Sequence, residues 1–484
     1  MKKLAVVLFS LSITFAISCG GGGGGGENST PEWIHPSSPD SSISLAGSNA
    51  NNVTAALNDS GEAVVVWRQQ DGTNDCGNAC YRLFISERRN GQWTHPQTVA
   101  DGIGTPGEDV TWPQVDMNAD GEAVIAWHQR VSGGATYNVY RMEYDTATAT
   151  WETPEQVNPA SHYGQRPMVA MDNAGNVLMA YARVGTPGFF KTQYNSASLT
   201  WDAPVKFDAG DTTNYTSDLN LDVDNSGNAV IAWSQYEGSF DPLYRSDFGF
   251  STAGTWTHPL DMNDHTSPIL THTTFSSSIA MGGGEAYIAW RSDTNDFGRH
   301  HVFLSHYNGS SWDDPMDGMD FVSIPNALGG SPASDPVLAM DSSGDAILVW
   351  HQNDNTTDCG GNACIQFFMV ENRAGVWSTL SGPSDNFTPD GSTVNRADIA
   401  MDDNGNAVVA WAQEDESDSM RLFMGEYSTG SWALPQTNSN YFSPAGYQVG
   451  DELWVGMADN GYKVILWSME DASRDYRIMM SEYR

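Results

Sequence analysis

Four cysteines fall in two near-copies of one snippet, Asp75-Cys76-Gly77-Asn78-Ala79-Cys80 and Asp358-Cys359-Gly360-Gly361-Asn362-Ala363-Cys364. Redox motifs place two residues between their cysteines, whereas these pairs enclose three and four. Zinc would need two further ligands, which neither snippet supplies. Loop-stapling disulfides, Cys76 with Cys80 and Cys359 with Cys364, are the expectation. Each closes a very small ring and contributes about 2 kcal/mol in the chain-entropy account.

Histidines offer a second chemistry. His300, His301 and His306 cluster on one segment, with His265 and His272 just before it. A metal site is one reading; against it, strand alternation sends neighbouring side chains to opposite faces. Patterns for a serine nucleophile elbow, a zinc protease helix or a phosphate loop are absent. Glycoside hydrolysis needs two carboxylates at a set separation, and with 60 Asp and Glu no pair can be singled out. No catalytic apparatus is legible.

Carboxylates also gather just after a recurring aromatic. Glu414, Asp415, Glu416 and Asp418 follow Trp411; Glu470 and Asp471 follow Trp467. Asp293 and Asp296 follow Trp290, and Asp71 and Asp75 follow Trp67, while the segments after Trp127 and Tyr181 carry none. One reading is a negative sector for Ca²⁺ or a cationic partner, because hard cations want several oxygens. The other is a set of solvated acidic loops. Two residues beyond the same aromatic stand Gln69, Gln129, Gln235, Gln352 and Gln413. A ring of amides could read sugar hydroxyls, or it could satisfy backbone groups between repeats.

These residues belong to a repeat, which decides the fold. A phrase close to Met-Asp-x-x-Gly-Asn-Ala-Val-Val-Ala-Trp ends at Trp67, Trp127, Tyr181, Trp233, Trp290, Trp350, Trp411 and Trp467. The copy ending at Trp290 is one residue short. A second phrase, near Gly-x-Trp-x-x-Pro, supplies Trp93, Trp151, Trp201, Trp256, Trp312, Trp377 and Trp432, with Trp33 at the start of the repeat region. Each unit reads as four strands. Strand A is a short apolar stretch such as Ile399-Ala400-Met401, and Asp-x-x-Gly then reverses the chain. Strand B is the near-continuous apolar run, strand C alternates, and strand D carries the second tryptophan. Four strands per repeat of this length mark propeller blades.

The sequence stops on a strand C with no strand D after it, and the repeat region starts on an unattached strand D around Trp33. The expectation is therefore an all-β, eight-bladed β-propeller of four-stranded antiparallel blades, closed by an N-terminal strand that completes the last blade. Closure removes exposed sheet edges. A–B and C–D turns then share one face, and B–C and D–A loops the other. The D–A connections, for example Pro96 to Trp112 and Pro259 to Ser277, are long. Any ligand surface belongs on their face, around the mouth of the central channel. A deep polar pocket there with converging carboxylates and arginine would mark an enzyme, and a flat face with exposed aromatics a binder.

Lys2 and Lys3 precede a short apolar stretch over residues 4–17, which reads as a cleavable signal. Ala16-Ile17-Ser18-Cys19 resembles the lipobox of bacterial lipoproteins, with Ala16 where Leu is commoner. The resemblance implies cleavage before Cys19, its acylation and, with Gly20 next, sorting to the outer membrane on its periplasmic or cell-surface face. Glycines run from Gly20 to Gly26, a flexible tether. The expected organisation is a signal peptide over 1–18, lipidated Cys19 and tether over 19–30, and the propeller over 31–484.

Asp and Glu outnumber Lys and Arg by 60 to 22, for a net charge of −38. Such a body repels nucleic acid and anionic headgroups. The Asp/Gly turns and periodic tryptophans loosely resemble sialidase-type propellers, though the motif lies between strands A and B. The blade number is similar to that of quinoprotein-like propellers, whose tryptophan-docking motif is missing. Both resemblances are of architecture, and a fold does not carry a function. The expectation is a monomeric binding module for a glycan, polymer or protein, with no cofactor beyond a possible Ca²⁺. The alternatives are a glycan-active hydrolase or lyase, and a structural subunit of an outer-membrane complex.

Overall fold

A computed structural model describes residues 31–73, 80–104, 108–131, 134, 136–183, 188–207, 216–237, 243–252, 254–257, 274–293, 300–315, 320–324, 333–354 and 364–484. Trp33–Arg484 forms one compact unit. It contains eight antiparallel sheets, each running A-B-C-D outward. In blade 1 the strands are Ala50–Leu57, Ala63–Gln70, Tyr81–Arg89 and Gln92–Thr94. Blades 2 and 3 add short outer pairs at Glu155–Gln156 and Val205–Lys206.

Closure occurs as the sequence predicts. Blade 8 takes Val449–Met457, Lys463–Glu470 and Tyr476–Tyr483 from the C-terminal part, and its fourth strand is Trp33–Ile34. Trp33 lies opposite Tyr483 and Ile34 opposite Glu482. Every strand A packs on the strand A of the next blade, and that of blade 8 packs on that of blade 1.

No single core serves the molecule. Eight apolar clusters each lie between two adjacent blades. Strand B supplies their largest members: Trp67, Trp127, Tyr181, Trp233, Trp290, Trp350, Trp411 and Trp467 are all fully buried. Covered on both faces, strand B has to be apolar throughout, which explains its unbroken hydrophobic run. Truncating one such aromatic to Ala costs roughly 3–5 kcal/mol. Outer latches reinforce several of these interfaces. The strand D indoles Trp151, Trp201 and Trp432 donate to Glu87, Glu143 and Glu371 on strand C of the preceding blade, at 3.0, 3.0 and 2.8 Å.

The repeated Asp-x-x-Gly is turn chemistry. Asp172 Oδ1 accepts the amides of Ala174 and Asn176, and Asp402 does the same for Asn404 and Asn406. The glycines take positive φ, as at Gly175 (79°) and Gly405 (76°). The short copy in blade 5 reverses on Gly283 and Gly284, with φ of 61° and 82°. A two-residue turn needs positive φ at both positions, which is why this copy carries glycines there.

Strand A departs from expectation at its beginning. The sequence reading ends loops at Trp112 and Ser277, but strands already start at Val110 and Thr274. All eight A strands slip register near their start, for example between Thr111 and Gln114. A bulge breaks the alternation that a pattern search relies on. The inner edge of strand A also leaves amides without a ladder partner. Carboxylates of the preceding blade accept several of them: Asp116 from Met171, Asp222 from Met281 and Asp398 from Val455, at 2.7, 2.9 and 2.7 Å.

Candidate functional site at the inner rim

The bulges place one residue per blade on the inner rim, at the end bearing the B–C and D–A loops. In blade order these are Asn52, Trp112, Arg166, Asp218, Ser276, Asp335, Arg396 and Asp451. Trp112, Arg166, Asp218, Asp335, Arg396 and Asp451 are exposed. Five adopt the left-handed region: Asn52, Trp112, Arg166, Asp218 and Asp335, with φ between 48° and 56°. That conformation costs a residue with a Cβ roughly 1–2 kcal/mol, and such outliers concentrate at ligand-contacting positions.

A second layer stands behind them on strand B, at the residue after the buried aromatic. Arg68 Nε donates to Asn51 Oδ1 at 2.5 Å, and Arg291 Nη1 reaches across to Ser334 Oγ of blade 6 at 2.8 Å. His128 Nδ1 accepts the Arg166 amide of blade 3 at 2.9 Å. Burial, with Arg166 and Arg68 adding to it, pushes His128 down to about 3, so its ring is neutral and can accept that bond. His351 is also held below the usual histidine range by burial, with Arg291 acting the same way and Asp335 opposing.

Among the described residues, two cavities open on this rim. One, of about 420 Å³, spans blades 5 to 8 and is lined by Asp335, His351, Asn395, Arg396 and Asp451, with Phe367 and Pro336 among its apolar walls. His351 Nδ1 stands 3.9 Å from Asp335 Oδ2. Asn395 Nδ2 donates to Asp451 Oδ1 at 3.3 Å, and Arg396 donates to the Asp451 carbonyl. The other, of about 110 Å³, spans blades 2 to 4 beside Trp112, Arg166 and Asp218. Here the Arg166 guanidinium lies over the Trp112 ring, 5.0 Å from its centroid. The rim thus combines a polar cavity with an exposed aromatic.

The residues singled out from sequence occupy other places. Gln69, Gln129, Gln352 and Gln413 are buried. Each accepts its own strand B indole, at 3.3, 3.4, 3.2 and 2.9 Å. Their amide groups hold the D–A loop: Gln69 donates to the Leu45 carbonyl, Gln352 to Ile324 and Gln413 to Pro389, each at 2.6 Å. These amides satisfy the scaffold and do not form a sugar-reading ring. The side chain of Gln235 is outside the described residues.

Of the carboxylates expected to form a negative sector, several are spent within their own loops. Asp415 is buried; its Oδ1 accepts the Ser417 and Ser419 amides and its Oδ2 pairs with Arg421 Nε at 2.7 Å. Burial works to raise its carboxyl, but the hydrogen bonds from Ser417, Arg421 and Ser419 hold it well below the usual range. Asp471 caps Ser473 and Asp475, and Asp71 caps Thr73. Glu414 accepts the Thr393 amide at 3.4 Å, Glu470 is half-buried, and Glu416 and Asp418 are exposed. Asp75, Asp296 and the side chain of Asp293 lie outside the described residues. Among the described residues, no three His, Cys, Asp or Glu side chains converge as metal ligands.

Of the histidines, His301 stacks on Phe321 and bonds Ser323 at 3.0 Å, while His306 stacks on Tyr287 and meets Glu285 at 3.0 Å. His265 and His272 lie outside the described residues. Cys80 and Cys364 are buried and disulfide-bonded, each just ahead of its strand C. Cys19, Cys76 and Cys359 lie outside the described residues.

Sequence reasoning missed the rim, although a signal existed. After the strand B aromatic the chain reads Arg68, His128, Ala182 and Ser234, and then Arg291, His351, Ala412 and Ser468. The same four residue types recur in the same order.

Compared with known protein families and with curated proteins, the sequence matches none. Among solved structures it is similar to the β-propeller domain of the Trilobed protease from Pyrococcus furiosus, at 10% identity over 82% of this chain and 98% of that one, with a TM-score of 0.43. It is also similar to a polysaccharide lyase, PL25-Ulvanlyase, at 11% identity over 79% and 94%, with a TM-score of 0.44. A Hadza microbial sialidase follows at 13% identity over 72% and 73%, with a TM-score of 0.35. Likenesses this distant carry no argument about chemistry.

Proposed function

We propose that this chain is an exported, lipid-anchored propeller that binds a glycan at the inner rim of its loop-bearing end. One observation carries the reading: exposed Asp335, Asn395, Arg396 and Asp451 from three successive blades converge, beside Pro336 and Phe367, on a cavity of about 420 Å³. Sugar recognition asks for that mixture, with planar polar groups for hydroxyls and an apolar or aromatic surface for the ring face. Anchoring through Cys19 and disulfides Cys76–Cys80 and Cys359–Cys364 belong to the same reading. They suit a rigid, displayed module in an oxidising compartment.

Glycan-array binding of residues 31–484, with the Arg396→Ala variant alongside, tests the proposal. Saturable binding by the wild type, weakened at least tenfold in the variant, is expected. An array on which nothing binds overturns it. A second reading, turnover of the bound glycan, is favoured by His351, held below the usual histidine range by burial, beside Asp335 and Arg396 in one cavity. New reducing ends or unsaturated products released from an array-positive polymer would establish it.

A further inference from the structure

The rim is a duplicated device, of which one half carries an exposed indole where the other carries a carboxylate. The strand B residues repeat in order between blades 1–4 and blades 5–8, as Arg68 with Arg291, His128 with His351, Ala182 with Ala412 and Ser234 with Ser468. At the bulges, Arg166 matches Arg396 and Asp218 matches Asp451, four blades apart. Blades 1 and 5 differ, with Asn52 and Ser276, and so do blades 2 and 6, with Trp112 in one half and Asp335 in the other.

The Trp112–Asp335 difference falls at the two cavities. In the first half the Trp112 indole lies against the Arg166 guanidinium, the His128 nitrogen is occupied by the Arg166 amide, and only about 110 Å³ is left. In the second half a short carboxylate replaces the indole. Its Arg396 does not share the positive φ of Arg166, His351 Nδ1 makes no hydrogen bond, and about 420 Å³ opens. The larger volume falls in the small-molecule range of roughly 300–1,000 Å³, and the smaller does not.

We propose that the cavity of blades 5 to 8 takes one pyranose unit, seated beside Asp335 at the bulge position that Trp112 holds in the other half. The inference rests on the glycan reading above and sharpens it to one ring in one half of the rim. The ring's apolar face packs against the Pro336 and Phe367 side, and its hydroxyls bond Asp335, Asn395 and His351 Nδ1.

The test exchanges the two distinguishing residues. Methyl glycosides of glucose, galactose, mannose, N-acetylglucosamine and glucuronate are titrated into the whole propeller, with affinity and stoichiometry read by calorimetry and contact by saturation-transfer NMR. The wild type should bind at least one glycoside with one site. Asp335→Trp should weaken it at least tenfold, and Trp112→Asp should add a second site, raising the stoichiometry from one to two. Should Asp335→Trp fail to fold, Asn395→Ala at an exposed position serves in its place, again with at least a tenfold loss. Unchanged binding in Asp335→Trp or Asn395→Ala overturns this assignment while leaving the glycan reading standing. A stoichiometry that stays at one in Trp112→Asp overturns the equivalence of the halves. A wild type that binds neither glycosides nor array polymers overturns both.

Discussion

Acid should loosen the ring at its seam. The closing strand Trp33–Ile34 is continued by His35, whose Nδ1 bonds Ser481 Oγ at 2.8 Å and whose ring stacks on Trp33 at 5.8 Å and leans on Phe442 at 4.6 Å. Burial pushes His35 from an ordinary 6.5 down to about 4, against a weaker opposing pull from Glu426. The unfolded chain therefore binds a proton near pH 6.5 that the folded seam refuses until about pH 4. Stability is fully present above 6.5 and is lost as pH falls towards 4. The gap corresponds to roughly 3 kcal/mol at 1.36 kcal/mol per unit. His35→Asn keeps a polar partner for Ser481 and cannot titrate. Urea unfolding of both proteins between pH 7.5 and 4 should show the wild type losing about 3 kcal/mol more than the variant. Hydrogen exchange should report early opening of residues 476–483 in the wild type alone. Parallel stability profiles for the two proteins would refute the reasoning.

Three further outcomes follow from the same geometry. Asp222, raised to about 7 mainly by burial, is destabilising when ionised. Its share of stability is present at low pH and lost as pH rises through 7, so between pH 6 and 8 the wild type should lose about 1 kcal/mol relative to Asp222→Asn, by thermal melts. Gln352→Leu strands the Trp350 indole and the Ile324 carbonyl, which should cost about 2–4 kcal/mol in urea unfolding while leaving glycan affinity unchanged. Trp33→Ala removes a half-buried indole from the seam and should cost about 2 kcal/mol; a melt that matches the wild type would show that the seam does not hold the ring.

Much of the architecture was legible because repetition amplifies weak signals. One Asp-x-x-Gly is only a turn, but four of them, with Asn-x-x-Gly in two more copies, each ahead of an apolar run and an aromatic, leave few folds open. The unpaired strand D at Trp33 and the unpaired strand C at the other end required each other, and the register Trp33–Tyr483 follows. The site was less legible for a local reason. The bulge inserts residues such as Trp112 and Asp335 into strand A in a left-handed conformation, so they fall off the two-residue period and look like loop. Conversely, Gln69, Gln352 and Gln413 looked like a presented ring, because sequence marks their period and says nothing of depth.

By itself the sequence determined the blade number, the strand order, the turn chemistry and the seam, since each follows from spacing along the chain. Tertiary structure alone decided which polar groups reach solvent together. Arg396 and Asp335 lie about 60 residues apart, on different blades, and meet at one cavity only because the ring brings the starts of successive A strands side by side. Burial likewise separates Gln413, spent on its own indole and loop, from Arg396, a few residues from the same strand pair and open to a ligand.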